Sequence, residues 1–281
     1  MIVAATLVSA LSLLLSPTAA TAPATLVAAG DIASCSSTGD EATAALVARI
    51  PGTVATLGDT VYDRGSADEF ARCYSWRRFV GRTKAALGNH DYGTGNADAA
   101  IALFKLPARG WYSYRLGAWH VIVLNSNCRH AGGCEAGSPQ DRWLRADLAS
   151  HRSRCTLAYW HHPLFSSGEY RPGVDSVRPL FQQLYDNGAD VVLNGHDHIY
   201  ERFAPQDPTG AAAPGRGVRE FIVGTGGKNH YALGTPVPNS EVRNSDTFGV
   251  LRLTLHPASY DWKFVPEAGG TFTDSGTGYC H

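Results

Sequence analysis

The chain has no marked excess of either charge: 24 Lys and Arg stand against 25 Asp and Glu in 281 residues. That balance gives no basic footprint for nucleic acid or an anionic membrane surface, so any phosphate-bearing partner must be held by local charge, most simply by metal. There is no CxxC pair, which argues against a structural zinc or a thioredoxin-like redox site. No apolar run is long enough to span a bilayer. There is no internal repeat, and no linker divides the sequence. The length allows one large domain or two small ones.

What is present begins with an apolar run at residues 7–15, followed by Pro17 and an Ala/Thr-rich stretch. Although the segment lacks Lys or Arg, it reads as a secretory signal over residues 1–24, with cleavage after Ala20 or Ala24. A secreted protein is expected to oxidise its six cysteines: Cys35, Cys73, Cys128, Cys134, Cys155 and Cys280. Fifteen pairings are possible. Cys128 and Cys134 flank a Gly-containing loop and make the easiest local bridge.

Residues 26–29, 53–57, 83–87, 119–124, 157–160 and 191–193 are short apolar, strand-like runs. Between them lie helical patterns at 41–50, at 66–80, after Ser138-Pro139 and through Leu180 and Leu184, the last with Asp175 as a cap. Alternating strands and helices predict an α/β domain over residues 25–281 with some parallel pairing. Later runs at 221–223, 248–255 and 260–265 look antiparallel, and 204–217 reads as a surface loop.

Five strand-like runs end on side chains able to ligate metal. They are Gly30-Asp31, Gly58-Asp59 with Tyr62 three residues on, Gly88-Asn89-His90, Trp160-His161-His162 and Gly195-His196-Asp197-His198. One Asp at a strand end is ordinarily a loop or helix cap; five such ends in series are not. Hard oxygens, borderline imidazoles and a carboxylate able to bridge suit a pair of ions, and paired ions suit hydrolysis. Strand ends supply the required rigidity.

The ordered set resembles the calcineurin-like metallophosphoesterases, and Gly58-Asp59-Thr60-Val61-Tyr62 with His196-Asp197-His198-Ile199-Tyr200 is similar to the purple acid phosphatase-like branch. The resemblance covers roughly residues 26–230. It implies a four-layer α/β/β/α sandwich with two central mixed sheets. It also implies a small phosphate-ester substrate, with Asp31, Tyr62 and His198 on a first ion, Asp59 bridging, and Asn89, His161 and His196 on a second. A phenolate is a hard, strongly donating ligand, so Tyr62 implies Fe(III) at the first position, with Zn, Mn or Fe at the second. His90 matches the histidine that contacts the phosphoryl group and protonates a leaving group. His162 and Arg171 are candidate substrate contacts, while Asp91 and Asp197 orient neighbours. Phosphate monoesters are the expected substrates; phosphodiesters, in a phospholipase D-like reaction, are the alternative. Ala33, where a further His stands in relatives without the tyrosine, is consistent with Tyr62 as a ligand.

Overall fold

The computed structural model describes residues 22–169 and 173–281. The apolar run at 7–15 and Arg171 therefore lie outside the described residues. In chain order the elements are β1 (Ala24–Ala29), β2 (Ala33–Ser34), α1 (Gly39–Arg49), β3 (Thr53–Leu57), β4 (Val61–Tyr62), α2 (Ala67–Cys73), β5 (Thr83–Ala86) and α3 (Asp98–Phe104). There follow β6 (Tyr112–Leu116), β7 (Trp119–Val123), α4 (Cys128–Ala131), α5 (Pro139–Ser150), β8 (Thr156–Tyr159), α6 (Arg178–Asp186) and β9 (Val191–Asn194). The chain closes with β10 (Tyr200–Phe203), β11 (Arg219–Val223), β12 (Ser240–Asn244), β13 (Gly249–Leu255), β14 (Ser259–Pro266) and β15 (Ser275–Tyr279).

Two mixed sheets form the centre. One runs β15-β14-β13-β1-β3-β5 and the other β12-β10-β11-β9-β8-β7-β6, while β2 and β4 make a short parallel pair. β1, β3 and β5 are parallel neighbours, as are β7, β8, β9 and β11. Their C-terminal ends therefore lie along one edge, and the five candidate segments follow those ends.

Side-chain alternation builds the layers. In the second sheet Val121, Val123, Leu157, Tyr159, Val191 and Leu193 join the core shared with β1, β3 and β13. Their neighbours Ile122, Ala158, Trp160 and Val192 pack instead with Leu144 of α5 and with Leu180, Phe181 and Leu184 of α6. A strand covered on both faces reads as a continuous apolar run, which explains why these strands were visible. α1 packs against β13 and the 3-10 turns at Ser75–Arg82, giving the four-layer α/β/β/α arrangement.

Local signals held in places. Ser138 caps α5, its hydroxyl accepting from the Asp141 N–H, with Pro139 in the first turn. Ser66 and Glu69 form a reciprocal capping box at the start of α2. The single helix expected over 66–80 is broken, however. Cys73 is bridged to Cys35, and the Asp40 carboxylate captures the Ser75 N–H at 2.9 Å, so Tyr74 is extended and 3-10 turns follow. Asp175 does not cap α6; a 3-10 turn at Asp175–Val177 intervenes and its carboxylate takes Arg178 instead. β11, expected to be antiparallel, is so only with β10, because it also pairs parallel with β9.

Three disulfides join Cys35–Cys73, Cys128–Cys134 and Cys155–Cys280. The last ties β8 to the chain's end. No helix among the described residues is long and apolar enough to cross a membrane.

Candidate metal centre

Each of the turns at Asp31, Asp59 and His196 places a non-glycine residue in the left-handed region, at φ 58°, 48° and 73°. Such conformations cost of order 1–3 kcal/mol each and persist where the surroundings fix them. Glycines make room for them. A Cβ on Gly88 would overlap the Asp59 carboxylate, and one on Gly58, itself at φ 86°, would stand 2.6 Å from His161 Nδ1.

The side chains converge in two linked groups. Tyr62 Oη lies 2.8 Å from Asp31 Oδ1, 2.9 Å from Asp59 Oδ2 and 3.0 Å from His198 Nε2. His161 Nε2 lies 3.2 Å from Asp59 Oδ2, 3.2 Å from Asn89 Oδ1 and 3.2 Å from His196 Nδ1. Asp59 Oδ2 belongs to both groups. Ligands about 2.0–2.2 Å from one ion sit about 3 Å apart, so these spacings fit.

Hydrogen bonding fixes what the donor atoms carry. His198 Nδ1 donates to Asn229 Oδ1 at 3.0 Å and His161 Nδ1 to the Leu57 carbonyl at 2.9 Å, leaving both Nε2 atoms as lone-pair donors when neutral. Around Tyr62 Oη two carboxylate oxygens and an imidazole lone pair then compete for one hydroxyl proton. A surplus of acceptors in a buried pocket calls for a cation.

The electrostatics agree. Burial and the Asp31 and Asp59 carboxylates push the Tyr62 phenol well above its ordinary range. Burial disfavours the charged form of His161, yet Asp59 raises that imidazole to about 9. Burial would raise Asp59 in turn, but His161 and His90 hold it below the usual carboxylate range. A proton on His161 thus does part of a metal's work, and a metal would displace it.

The surrounding residues brace the turns that carry the candidate donors. Buried Asp91 accepts from the Gly88 N–H at 2.8 Å and the Thr60 N–H at 3.2 Å, joining two of the turns; burial, then Asp59, raises it to about 7. Asp197 takes the Ser166 hydroxyl and is raised to about 7 chiefly by burial. His90 donates through Nδ1 to the Asp63 carbonyl at 2.6 Å and packs on Tyr62 with ring centres 4.3 Å apart. His162 sits beside His161 and His196 and pairs with Ser126 Oγ at 2.8 Å. A cavity of about 330 Å³ opens there, lined by Ser126, Asn127, Arg129, His130, His162 and Val174.

Four neighbours escaped the sequence reading. Asn229 holds His198, Tyr231 stacks on it at 4.0 Å, Ser126 holds His162, and Lys228 stands 5.0 Å over the Tyr62 ring with Nζ 3.2 Å from Asp63. The sequence signal for three of them was the glycine run at 224–227. The Gly226 N–H donates to the Gly30 carbonyl at 2.9 Å, which lays this loop against the turn that carries Asp31.

The model of the calcineurin-like phosphoesterase family matches residues 21–200. The chain belongs to this family. Among curated proteins it is 28% identical over 211 residues to acid phosphatase A of Cryphonectria parasitica, covering 66% of this chain and 41% of that one. It is 33% identical over 159 residues to purple acid phosphatase 22 of Arabidopsis thaliana, covering 52% and 34%. The chain thus aligns with less than half the length of either. A purple acid phosphatase from yellow lupin (Lupinus luteus) seeds superposes with a TM-score of 0.79 at 18% identity, covering 92% of this chain and 54% of that one, which shows a shared fold. This member of the family is thus distantly related to purple acid phosphatases, and its clustered donors are consistent with a dinuclear metal site.

Proposed function

We propose that the chain hydrolyses small phosphate monoesters with two metal ions. The observation that carries this is the shared Asp59 carboxylate, in contact with both the Tyr62 and the His161 donor groups. Asp31, Tyr62 and His198 would hold the first ion, and Asn89, His161 and His196 the second. When bound, paired ions polarise phosphoryl oxygens and lower the pKa of a bound water, so no Ser or Cys nucleophile is required. Tyr62, as a hard phenolate donor, favours Fe(III) at the first position, with Zn, Mn or Fe at the second.

The chain's own residues supply the remainder. His90, oriented through Nδ1, can deliver a proton from Nε2 to the leaving oxygen. His162, braced by Ser126, lines the adjoining cavity, whose volume of about 330 Å³ is at the small end of ligand pockets and favours a compact ester. Three disulfides support an exported protein with residues 1–24 as its signal. Residues 25–281 are read as one catalytic domain, since β13 pairs directly with β1.

The test is a paired assay of p-nitrophenyl phosphate and bis-p-nitrophenyl phosphate on protein of measured metal content. Preference for the monoester is expected. Preference for the diester would replace the substrate assignment but keep the metal centre; hydrolysis of neither, with two metals bound, would reject the enzymatic reading.

A further inference from the structure

A second group of ligand-type side chains lies away from the centre described above. His120 is the second residue of β7, whose other end leads to Ser126, the partner of His162; the four residues from His120 to Leu124 amount to about 13 Å of extended chain. Asp147 lies in the last turn of α5 and His151, four residues on, caps that helix and turns its imidazole back to the Asp147 carboxylate. His120 Nε2 is 2.9 Å from Asp147 Oδ2, and His151 Nδ1 is 3.0 Å from Asp147 Oδ1.

The inner part of this group is only partly satisfied by protein partners. His120 is 1% exposed; its Nε2 pairs with Asp147 and helps hold that carboxyl below its usual range, while its Nδ1 has no hydrogen-bond partner among the described residues. A buried imidazole and a carboxylate 2.9 Å apart are also spaced like neighbours around one ion. The Ser113 hydroxyl donates to Asp147 Oδ1 at 2.7 Å and so fixes the carboxylate from β6, as outer groups do around metal ligands. His151 Nδ1 also lies 3.0 Å from the Asp147 carbonyl, a contact that ligation would replace. The His151 side chain is 49% accessible and lines a cavity of about 380 Å³ with Arg152, Ser153 and Asp186, so an ion can reach this outermost member of the group from solvent.

We propose that His120, Asp147 and His151 form a separate binding site for one divalent transition metal. Two imidazoles and one carboxylate suit Zn(II) or its neighbours rather than Mg(II) or Ca(II), with water completing the coordination. The ion clamps the C-terminal end of α5 to β7, beside the Cys155 carbonyl that accepts from the His120 N–H. Its effect is on stability, because the site is remote from the phosphoesterase donors and supplies nothing to them.

The test compares wild type, His151→Ala and His151→Cys after equilibrium dialysis against zinc at neutral pH, with metal counted by elemental analysis and native mass spectrometry. His151 is surface-accessible, so His151→Ala should fold; its circular dichroism and p-nitrophenyl phosphate turnover should match wild type. His151→Ala should bind one zinc fewer per chain than wild type, and His151→Cys should recover it. Zinc should raise the melting temperature of wild type more than that of His151→Ala. These are differences between variants, so they stand or fall independently of how many ions the phosphoesterase centre holds. Equal zinc counts in wild type and His151→Ala would overturn the site, as would a lost zinc accompanied by lost turnover.

Discussion

Replacing Asp59 with Asn keeps the side chain's shape and removes one charge. In the proposed two-metal form that charge would be shared, since Asp59 Oδ2 is 2.9 Å from Tyr62 Oη and 3.2 Å from His161 Nε2. A unit charge about 4 Å from a cation is worth about 4 kcal/mol at an effective dielectric of about 20. Each ion should therefore bind about a thousandfold more weakly, and turnover should fall by at least as much at limiting metal. Asp91→Asn is the control. Asp91 is fully buried and raised to about 7, so near neutrality an amide is a close mimic. What it loses is one of the two oxygens that accept from the Thr60 and Gly88 N–H groups, about 1 kcal/mol, or roughly 2–4 °C in melting temperature. Metal content, p-nitrophenyl phosphate turnover and thermal melting, measured on both variants, separate the two roles. Equal losses of turnover in two folded variants, or two tightly bound metals in Asp59→Asn, would refute the shared-ligand assignment.

His90→Ala should slow esters of poorly acidic alcohols more than nitrophenyl esters, because only the former need a proton on the leaving oxygen; a uniform loss in a leaving-group series would reassign His90 to phosphate binding. Concentrated protein loaded with iron should absorb in the visible, and Tyr62→Phe should abolish the band; a band that survives would place the phenolate elsewhere. Burial raises Glu220 to about 8 from an ordinary 4.5, so between those values the native state keeps a proton that the unfolded chain releases. Stability from this group is fullest below about 4.5 and is lost as pH rises toward 8, so melting curves from pH 5 to 9 should decline less steeply for Glu220→Gln than for wild type.

The central strands were legible because each is covered on both faces. Val121–Val123, Leu157–Tyr159 and Val191–Leu193 alternate between two apolar layers and so show no polar interruption. β6, β10 and β12 gave no such signal. Tyr112–Leu116 and Ser240–Asn244 are only half-buried strands at sheet edges, and Tyr200–Phe203 buries Glu201 on hydrogen bonds from Ser167 and Ser240. Polar residues that are satisfied by distant partners look in sequence like loop. The broken helix at Tyr74 failed for the same reason, since the carboxylate that interrupts it, Asp40, comes from a different helix.

The candidate site divides along the same line. Its donor residues could be read because parallel strands bring their C-terminal ends together, so residues far apart in sequence share a local motif of apolar run, turn and polar side chain. The residues that hold those donors arrive differently. Asn229 and Tyr231 reach His198 only because Gly226 lets the loop after β11 lie against the Gly30 carbonyl, where a Cβ would collide, and because the Lys228 N–H then donates to the Asp31 carbonyl at 3.0 Å. That contact couples the loop to the first candidate ligand, so the loop's geometry and the His198 tautomer are set together. Gly226→Ala should therefore disturb the first donor group more than the second. Loaded with two metals, the variant should lose the ion near Tyr62 and its visible band first, read by metal analysis alongside absorbance. Loss of the His161-side ion first would mean that the loop does not govern His198.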